Sequence, residues 1–429
     1  MPIDSSKTRL RILWVKMGGL WPANSGGRLR SFHIINELSK SHEVTVLTTH
    51  GPLEMGAGLR ENLPLCKRVE SFLFAPAKKD SRLFLFSLAA SWLSRYPVDV
   101  YKHQCPELAM EVKTLLASGD FDLCIADFLT AVPNVPLAGE TPVVLFSHNV
   151  EYMIWQRLYD NEQLWLKRQL LAIEWRKMRR FETRVCNSVA TTISVSEEDA
   201  AQLREGSPDA CITSVPTGVD IEYFSPAPET VKKPDSLVFS GSMDWFPNEE
   251  AMLYFIKEVL PLVRAKSPDV TLTIVGRNPS ELLRTTAQNH AVEVTGTVSD
   301  IRPWLVNAEL YIVPLRIGGG TRLKIYEALA MGLPVISSTI GAEGLDLQEG
   351  THIVRADTAQ AFAAQILHLL ENPGLREQLG KNGRDLVVEK YSWSRIASNF
   401  EFQCRAAALQ HEPGPSYKEI TADFKNIRN

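Results

Sequence analysis

The stretch Pro314-Leu-Arg-Ile-Gly-Gly-Gly-Thr-Arg-Leu-Lys-Ile-Tyr-Glu-Ala-Leu-Ala-Met-Gly-Leu-Pro-Val335 carries the strongest structural signal in the chain. It follows the apolar run Leu310–Val313, which reads as a buried strand. Gly318, Gly319 and Gly320 let the backbone turn sharply and approach a ligand closely. Thr321 reads as the N-cap of a helix that runs to about Met331, where Gly332 and Pro334 end it before the next apolar run. Strand, glycine turn, helix and strand in this order make a βαβ unit of a parallel sheet.

A glycine turn feeding a helix N-terminus is an anion site, because unpaired N–H groups and the helix dipole both point at the bound charge. Arg322 and Lys324 fall in the first turn, where a positive side chain costs an isolated helix about 0.3–1 kcal/mol. A bound diphosphate reverses that sign. A solvated basic loop is the competing reading. Glu327 sits on a helix that is apolar almost all round (Leu323, Ile325, Tyr326, Ala328, Leu329), so its carboxylate needs partners. A ribose diol would donate two hydrogen bonds to it; a structural ion pair with an arginine is the alternative.

Outward from this unit the same rhythm repeats. Apolar runs at Ile12–Val15, Val44–Thr48, Ser71–Phe74, Leu123–Ala126, Val143–Phe146 and Thr191–Val195, with a short one at Ile212–Val215, read as strands of a first domain. Runs at Leu237–Ser240, Leu272–Val275, Val292–Thr295, Leu310–Val313, Val335–Ser338 and His352–Val354 read as a second set. They are rich in Val, Ile and Leu without strict alternation, as strands buried on both faces are. Alternation with helical segments predicts two α/β, Rossmann-like, doubly wound parallel sheets facing across a cleft. Residues 1–218 form the first domain and 219–393 the second, joined through the proline-bearing segment Pro216 to Lys233. A final helix from Ser394 packs back toward the first domain, ahead of a polar tail from His411.

Bulk properties exclude several classes. The 429 residues carry a net charge of −4, which gives no reason to expect nucleic acid as a partner. No apolar run approaches the roughly 18 residues of a membrane span, and Met1 to Lys16 reads as a first strand rather than a secretory signal. Six scattered cysteines without a CxxC pair suit buried thiols in a reducing compartment better than zinc or disulfides.

Other residues stand at strand ends where ligands bind. Gly26 and Gly27 open a helix Arg28–Lys40 after the first strand, but the pattern is not G-x-G-x-x-G and the second strand ends Thr48-Thr49-His50 without an acid, which disfavours a nicotinamide dehydrogenase. Arg28 and Arg30 face either an anionic substrate or water. His148, past the fifth strand, can hydrogen-bond a sugar hydroxyl or leaving phosphate, or simply cap a turn. Glu151, one turn on, is a weaker acceptor-side candidate, as is Asp127 at the C-terminal end of its strand. Asp120-Phe-Asp122 lies at the wrong end of the same strand and reads as a solvated turn, not a metal site. Leu83 to Tyr96 is notably apolar with Lys78, Lys79, Arg82 and Arg95 around it, and either packs as a core helix or meets a membrane interface. Arg157 to Arg184 reads as a long helix with a basic face, which suits an anionic membrane and plain solvent equally.

Gly318 to Val335 resembles the donor-site signature of family-4 retaining glycosyltransferases of the GT-B fold. The resemblance extends through Gly26-Gly-Arg, Val215-Pro-Thr-Gly-Val-Asp-Ile-Glu-Tyr-Phe, Leu237-Val-Phe-Ser-Gly-Ser-Met, Ile274-Val-Gly-Arg and Val294-Thr-Gly-Thr-Val-Ser-Asp, and its nearest flavour is the sugar transferases of bacterial exopolysaccharide clusters. It implies a UDP- or GDP-sugar donor, a glycan or lipid-linked acceptor, and no metal or other cofactor; the scattered cysteines and the missing signal add the expectation of a cytoplasmic location, and the Leu83–Tyr96 segment offers peripheral membrane contact at the inner face as the alternative to a core helix. The resemblance implies that Glu327 holds the donor ribose, that Gly320, Thr321 and the following amides bind the diphosphate, that Gly276, Arg277 and Val298 flank the base, that Gly26 and Gly27 close over the phosphates, and that His148 lies near the transferred sugar. Two departures stand out. The family's glutamate eight positions before the ribose glutamate is Gly319 here. Its arginine and lysine after the first strand of the second domain are missing from Gly241-Ser-Met-Asp-Trp-Phe-Pro-Asn; Arg322 and Lys324 are expected to supply that charge, and the backbone amides at Gly318, Gly319 and Gly320 to replace the missing carboxylate. A nucleotide-sugar epimerase and a catalytically silent binding module are the alternatives.

Overall fold

The computed structural model describes residues 9–23, 25–52, 58–77, 81–227, 231–317 and 323–410, apart from the side chains at 82, 85 and 410. The expected sites Gly318, Gly319, Gly320, Thr321 and Arg322 lie outside the described residues, as do Lys78, Lys79 and the tail beyond residue 410.

Two compact units divide the chain, one comprising the residues up to Pro216 and those from Ile396 on, the other Thr217–Arg395. The first holds strands β1 (Arg11–Lys16), β2 (Glu43–His50), β3 (Arg68–Leu73), β4 (Leu123–Asp127), β5 (Val143–Ser147), β6 (Thr191–Ser194) and β7 (Ile212–Ser214) in the order β3-β2-β1-β4-β5-β6-β7. The second holds β8 (Ser236–Ser240), β9 (Thr271–Val275), β10 (Glu293–Gly296), β11 (Leu310–Val313), β12 (Val335–Ser337) and β13 (Val354–Arg355) in the order β10-β9-β8-β11-β12-β13. Every pairing within both sheets is parallel. This is the GT-B architecture, and each apolar run read as a strand overlaps one, though β3 begins three residues before the expected Ser71 and β13 shares only Val354 with the expected His352–Val354.

The physical cause is burial. β4 and β5 are buried along their whole length, so both faces select apolar residues. The edge strand β3 is only half-buried and carries Arg68 and Glu70, a composition that blunts an open edge. In each sheet the strand order reverses direction once, between β1 and β4 and between β8 and β11. Crevices beyond the C-terminal ends of strands at such switch points are the usual ligand positions.

Seven helices position the candidate sites: α1 (Gly26–Leu38), α2 (Arg82–Trp92), α3 (Glu151–Asn161), α4 (Trp165–Cys186), α5 (Phe246–Tyr254), α6 (Leu323–Ala330) and α7 (Trp393–Gln410). α3 and α4 are joined by three residues and pack as a helical hairpin. α7 lies against the first sheet, where Phe400 stacks on Trp14 with ring centroids 5.7 Å apart and meets Phe146 edge-on at 5.0 Å. His42 Nε2 stands 3.2 Å from the Glu401 carboxylate of the same helix. Five of the six cysteines are buried and none is bonded to another.

Asp122 corrects the reading of a solvated turn. It is 5% exposed, accepts from the Arg11 backbone N–H at 2.8 Å and pairs with the Arg11 guanidinium at 3.0 Å. It fastens the start of β1 to the start of β4, which is why an acid stands there.

Candidate functional site

In the first unit the register of β1 on β4 sets Lys16 directly opposite Asp127. Both are buried, at 2% and 0% exposure, and the ammonium lies 3.1 Å from Asp127 Oδ2. The Trp14 indole N–H donates to the same oxygen at 2.9 Å, and His148 Nε2 lies 2.8 Å from Oδ1. Burial alone would raise the Asp127 carboxyl, but the Lys16 ammonium and the His148 hydrogen bond outweigh it and hold it at about 2. Burial pushes the His148 imidazole down to about 4 despite Asp127, so it is neutral at pH 7. Burial likewise lowers the Lys16 ammonium.

The ionised Asp127 assigns the imidazole proton to Nε2. The Nδ1 lone pair then faces Arg30 Nη1 at 3.5 Å. Arg30 is 9% exposed, so it faces neither open water nor solvent counter-ions, and burial lowers its guanidinium only to about 10. The imidazole itself is stacked flat on Phe128, with centroids 3.9 Å apart and planes within 2°. Phe128 follows β4 at φ 72°, a conformation a bulky residue rarely adopts.

This packing explains Gly27. A Cβ there would lie 2.5 Å from the Phe128 ring, whereas one at Gly26 would meet open space. Both glycines form the first turn of α1, not a loop ahead of it, so the helix starts two residues before the expected Arg28. Glu151 opens α3, and the Glu151 and Tyr152 N–H groups both donate to the buried Glu182 carboxylate at 3.0 Å. Burial pushes the Glu151 carboxyl up to about 7. The residue that holds His148 is therefore Asp127 rather than Glu151.

In the second unit the turns after β8 and β9 cross in contact. The Gly241 N–H donates to Val275 O at 2.9 Å, and a Cβ on Gly276 would lie 1.7 Å from Gly241 O. Glycine at 276 is thus a steric requirement of the backbone crossing. A Cβ on Gly241 would lie 2.7 Å from both Asn248 Nδ2 and Lys324 Nζ. Lys324 reaches this spot from α6: its ammonium donates to Asn248 Oδ1 at 2.7 Å and lies 4.3 Å from the Phe239 ring centroid. Asn248, 3% exposed, is oriented in turn by donating to Ser242 O at 2.8 Å.

Glu327 is one helical turn beyond Lys324 and is half-buried. Among the described residues no arginine pairs with its carboxylate and that carboxylate makes no hydrogen bond with them, while its backbone carbonyl accepts from the Met331 N–H at 3.2 Å. Burial pushes its carboxyl up to about 7, with Lys324 pulling the other way. Arg277, exposed, donates to Ser242 Oγ at 2.7 Å, and Val298 is half-buried in the loop after β10. Among the described residues no group of three His, Cys, Asp or Glu side chains is arranged to hold a metal ion.

The sequence singled out Asp127 and His148 separately, and the sheet brings them together. It missed Lys16, Phe128 and Asn248. A lysine closing an apolar run was the one available signal for Lys16; nothing local announced the other two.

Two family profiles match this geometry's two units: Glycosyltransferase Family 4 over residues 25–223, and Glycosyl transferases group 1 over residues 234–372. The chain belongs to the family-4 glycosyltransferases. A full-length relative of this glycosyltransferase is an uncharacterized 44.6 kDa protein of the Klebsiella pneumoniae cps region, 22% identical over 91% of this chain and 98% of that one. The phosphatidyl-myo-inositol mannosyltransferase of Mycobacterium leprae is 31% identical over 43% of this chain, which spans about half (50%) of the mannosyltransferase. Among solved structures, HepE of Anabaena in complex with UDP has a TM-score of 0.65 at 14% identity, covering 92% of this chain and 100% of that one. Sucrose-phosphate synthase of Thermosynechococcus elongatus has a TM-score of 0.64 at 16% identity, covering 92% and 99%. At these identities the structural likeness concerns the fold alone.

Proposed function

We propose that this glycosyltransferase moves a sugar from a UDP- or GDP-sugar to a glycan or lipid-linked acceptor in exopolysaccharide assembly, with retention of configuration and without a metal. The observation that carries the reading is the paired face of α6: an ammonium held against the Gly241–Gly276 crossing, and one turn on a carboxylate with no hydrogen-bond donor among the described residues. A nucleoside diphosphate carries both complements, an anion for the ammonium and a diol for the carboxylate. The cps-region relative favours a polysaccharide role. UDP is bound in the HepE structure, and a relative from Corynebacterium glutamicum is a GDP-mannose-dependent mannosyltransferase, which keeps both bases in view.

In this reading Glu327 accepts from the ribose hydroxyls. Gly276, Arg277 and Val298 flank the base. The amides of Gly318, Gly319, Gly320 and Thr321, with Arg322 and Lys324, stabilise charge as it builds on the leaving diphosphate. The sugar C1–O bond to the diphosphate breaks, and a bond from the acceptor oxygen to C1 forms on the same face. The acceptor's proton passes to the departing phosphate oxygen. The chain's own cations do the work that a metal does elsewhere. In the first unit Gly26 and Gly27 present helix-terminal amides toward phosphate, His148 orients the sugar, and Asp127 and Glu151 belong to the acceptor side. The enzyme works in the cytoplasm, in contact with the inner membrane face where a lipid-linked acceptor resides.

The test is a turnover assay with UDP-glucose and GDP-mannose, alone and with lipid-linked oligosaccharide. Release of nucleoside diphosphate with an α-configured product is expected from an α-linked donor. Epimerised donor without transfer, or neither donor consumed, would overturn the reading.

A further inference from the structure

Helix α4 is unusual in where its charges go. It carries seven basic residues between Lys167 and Arg184 and two acidic ones, Glu174 and Glu182. Both acids are turned inward, at 2% and 1% exposure. Glu174 accepts from the Trp92 indole and the Val98 backbone N–H, both at 2.9 Å, and Glu182 accepts from the first two N–H groups of α3. Lys167 pairs with Glu162 of the connecting segment and Lys177 turns in to donate to Ser91 O, so the solvent side of the helix is formed by Arg168, Arg176, Arg179, Arg180 and Arg184, with no carboxylate of the helix among them.

At the tip of the α3–α4 hairpin, Leu164, Trp165 and Leu166 are 67%, 72% and 66% exposed. Three large apolar side chains in a row contribute little to the fold at that exposure, and their hydration is a standing cost that an occupant would relieve. Leu83 and Phe86 of α2, which is tied to α4 through Trp92 and Glu174, are exposed to a similar degree at 69% and 72%. The apolar segment singled out from the sequence is only partly available, since Phe84, Leu88 and Tyr96 pack against the core of the first unit.

We propose that the α3–α4 hairpin tip docks on an anionic lipid bilayer, with Leu164, Trp165 and Leu166 entering the interface and the basic side of α4 lying over the headgroups. Charge complementarity selects this occupant: a cation-only helix face next to an apolar tip matches acidic headgroups above acyl chains. Tryptophan at the tip fits the same boundary, where one edge of the ring is wet and the other dry. A protein partner would need roughly 1,000 Å² of complementary surface, more than the three tip residues supply, and the other exposed apolar side chains of the hairpin, Ile154, Leu158 and Ile173, are less exposed at 41%, 46% and 48%. The inference deepens the membrane contact proposed above and is independent of the donor assignment.

Sedimentation of the full chain with vesicles tests it, comparing phosphatidylglycerol–phosphatidylcholine mixtures with phosphatidylcholine alone. The wild type is expected to bind the anionic vesicles at least about tenfold more tightly, losing most of that difference at high salt. The triple variant Leu164→Ser, Trp165→Ser, Leu166→Ser is expected to lose about tenfold or more in vesicle binding while melting at the wild-type temperature and keeping its UDP or GDP affinity. The pair Arg176→Gln, Arg180→Gln is expected to shrink the distinction between the two vesicle types. Absence of binding to anionic vesicles, or a triple variant that binds like the wild type, overturns the proposal. So does a concentration-dependent dimer that the triple variant loses, which would assign the tip to a second copy. Failure here leaves the nucleotide reading standing, and failure of nucleotide binding leaves this one standing.

Discussion

Glu327 makes a quantitative claim. Its carboxyl is pushed from an ordinary 4.5 to about 7 by burial. Folding thus favours the protonated form: the contribution to stability is fully present below about pH 4.5 and is lost as pH rises through 7. The difference amounts to at most about 3 kcal/mol against the ionised form, less to the extent that the side chain keeps some exposure. Two hydrogen bonds from a ribose diol to a carboxylate contribute about 1.5–3 kcal/mol each, enough to offset that penalty. Nucleotide binding therefore selects the ionised carboxylate and releases a proton. With a free-state value near 7, the ionised fraction is about 0.1 at pH 6 and about 0.9 at pH 8, so affinity for UDP or GDP should rise about tenfold across that range. Calorimetric titration at several pH values, each in two buffers of different ionisation heat, measures both the affinity and the protons released. Glu327→Gln keeps the size and removes the titration. It should bind about 10- to 100-fold more weakly at pH 8 and lack the extra pH slope, while the titration of the nucleotide's own phosphate remains common to both proteins. Equal slopes and equal proton release in wild type and variant would refute the reasoning.

Four further outcomes follow from the same geometry. Lys324→Met should lower nucleoside-diphosphate affinity about 10- to 100-fold with little change in melting temperature, and Asn248→Leu should reproduce part of that loss, since Asn248 aims the ammonium; calorimetry with thermal melts checks both. Gly27→Ala should destabilise by about 1–3 kcal/mol through the Phe128 ring, whereas Gly26→Ala, facing open space, should be neutral or slightly stabilising in denaturant melts. Asp127→Asn should cost about 3–5 kcal/mol by leaving the Lys16 ammonium buried without its counter-charge, visible as a large drop in the denaturation midpoint. His148→Ala should keep donor affinity but lose turnover; unchanged turnover would reduce the imidazole to a packing element between Phe128 and Asp127.

The sheets were legible because parallel strands buried on both faces leave uninterrupted apolar runs; the edge strands β3 and β13, less buried or very short, were placed only in part. What the sequence withheld is non-local. Lys16 and Asp127 are 111 positions apart, and only the strand order that sets β1 beside β4 makes them partners. Phe128 acquires its role from a left-handed backbone that no propensity announces. Asn248 reads only as the end of the turn from Gly241 until Lys324 arrives from α6. On that helix the local signals were already strong, because a basic first turn and a lone acid among apolar residues are each unfavourable without a partner. Asp122 shows the opposite error: its place at the N-terminal end of a strand suggested a solvated turn, but the two strand starts are joined by a buried acid.

The central claim is that the face of α6 is a donor-nucleotide site. Titration of the full chain with UDP, GDP and ADP at pH 8, beside the double variant Lys324→Met, Glu327→Gln, tests it most directly. One of the diphosphates should bind the wild type with micromolar affinity and fail to bind the double variant, which should still melt cooperatively. No binding of any of the three to the wild type, or equal binding to both proteins, would contradict it.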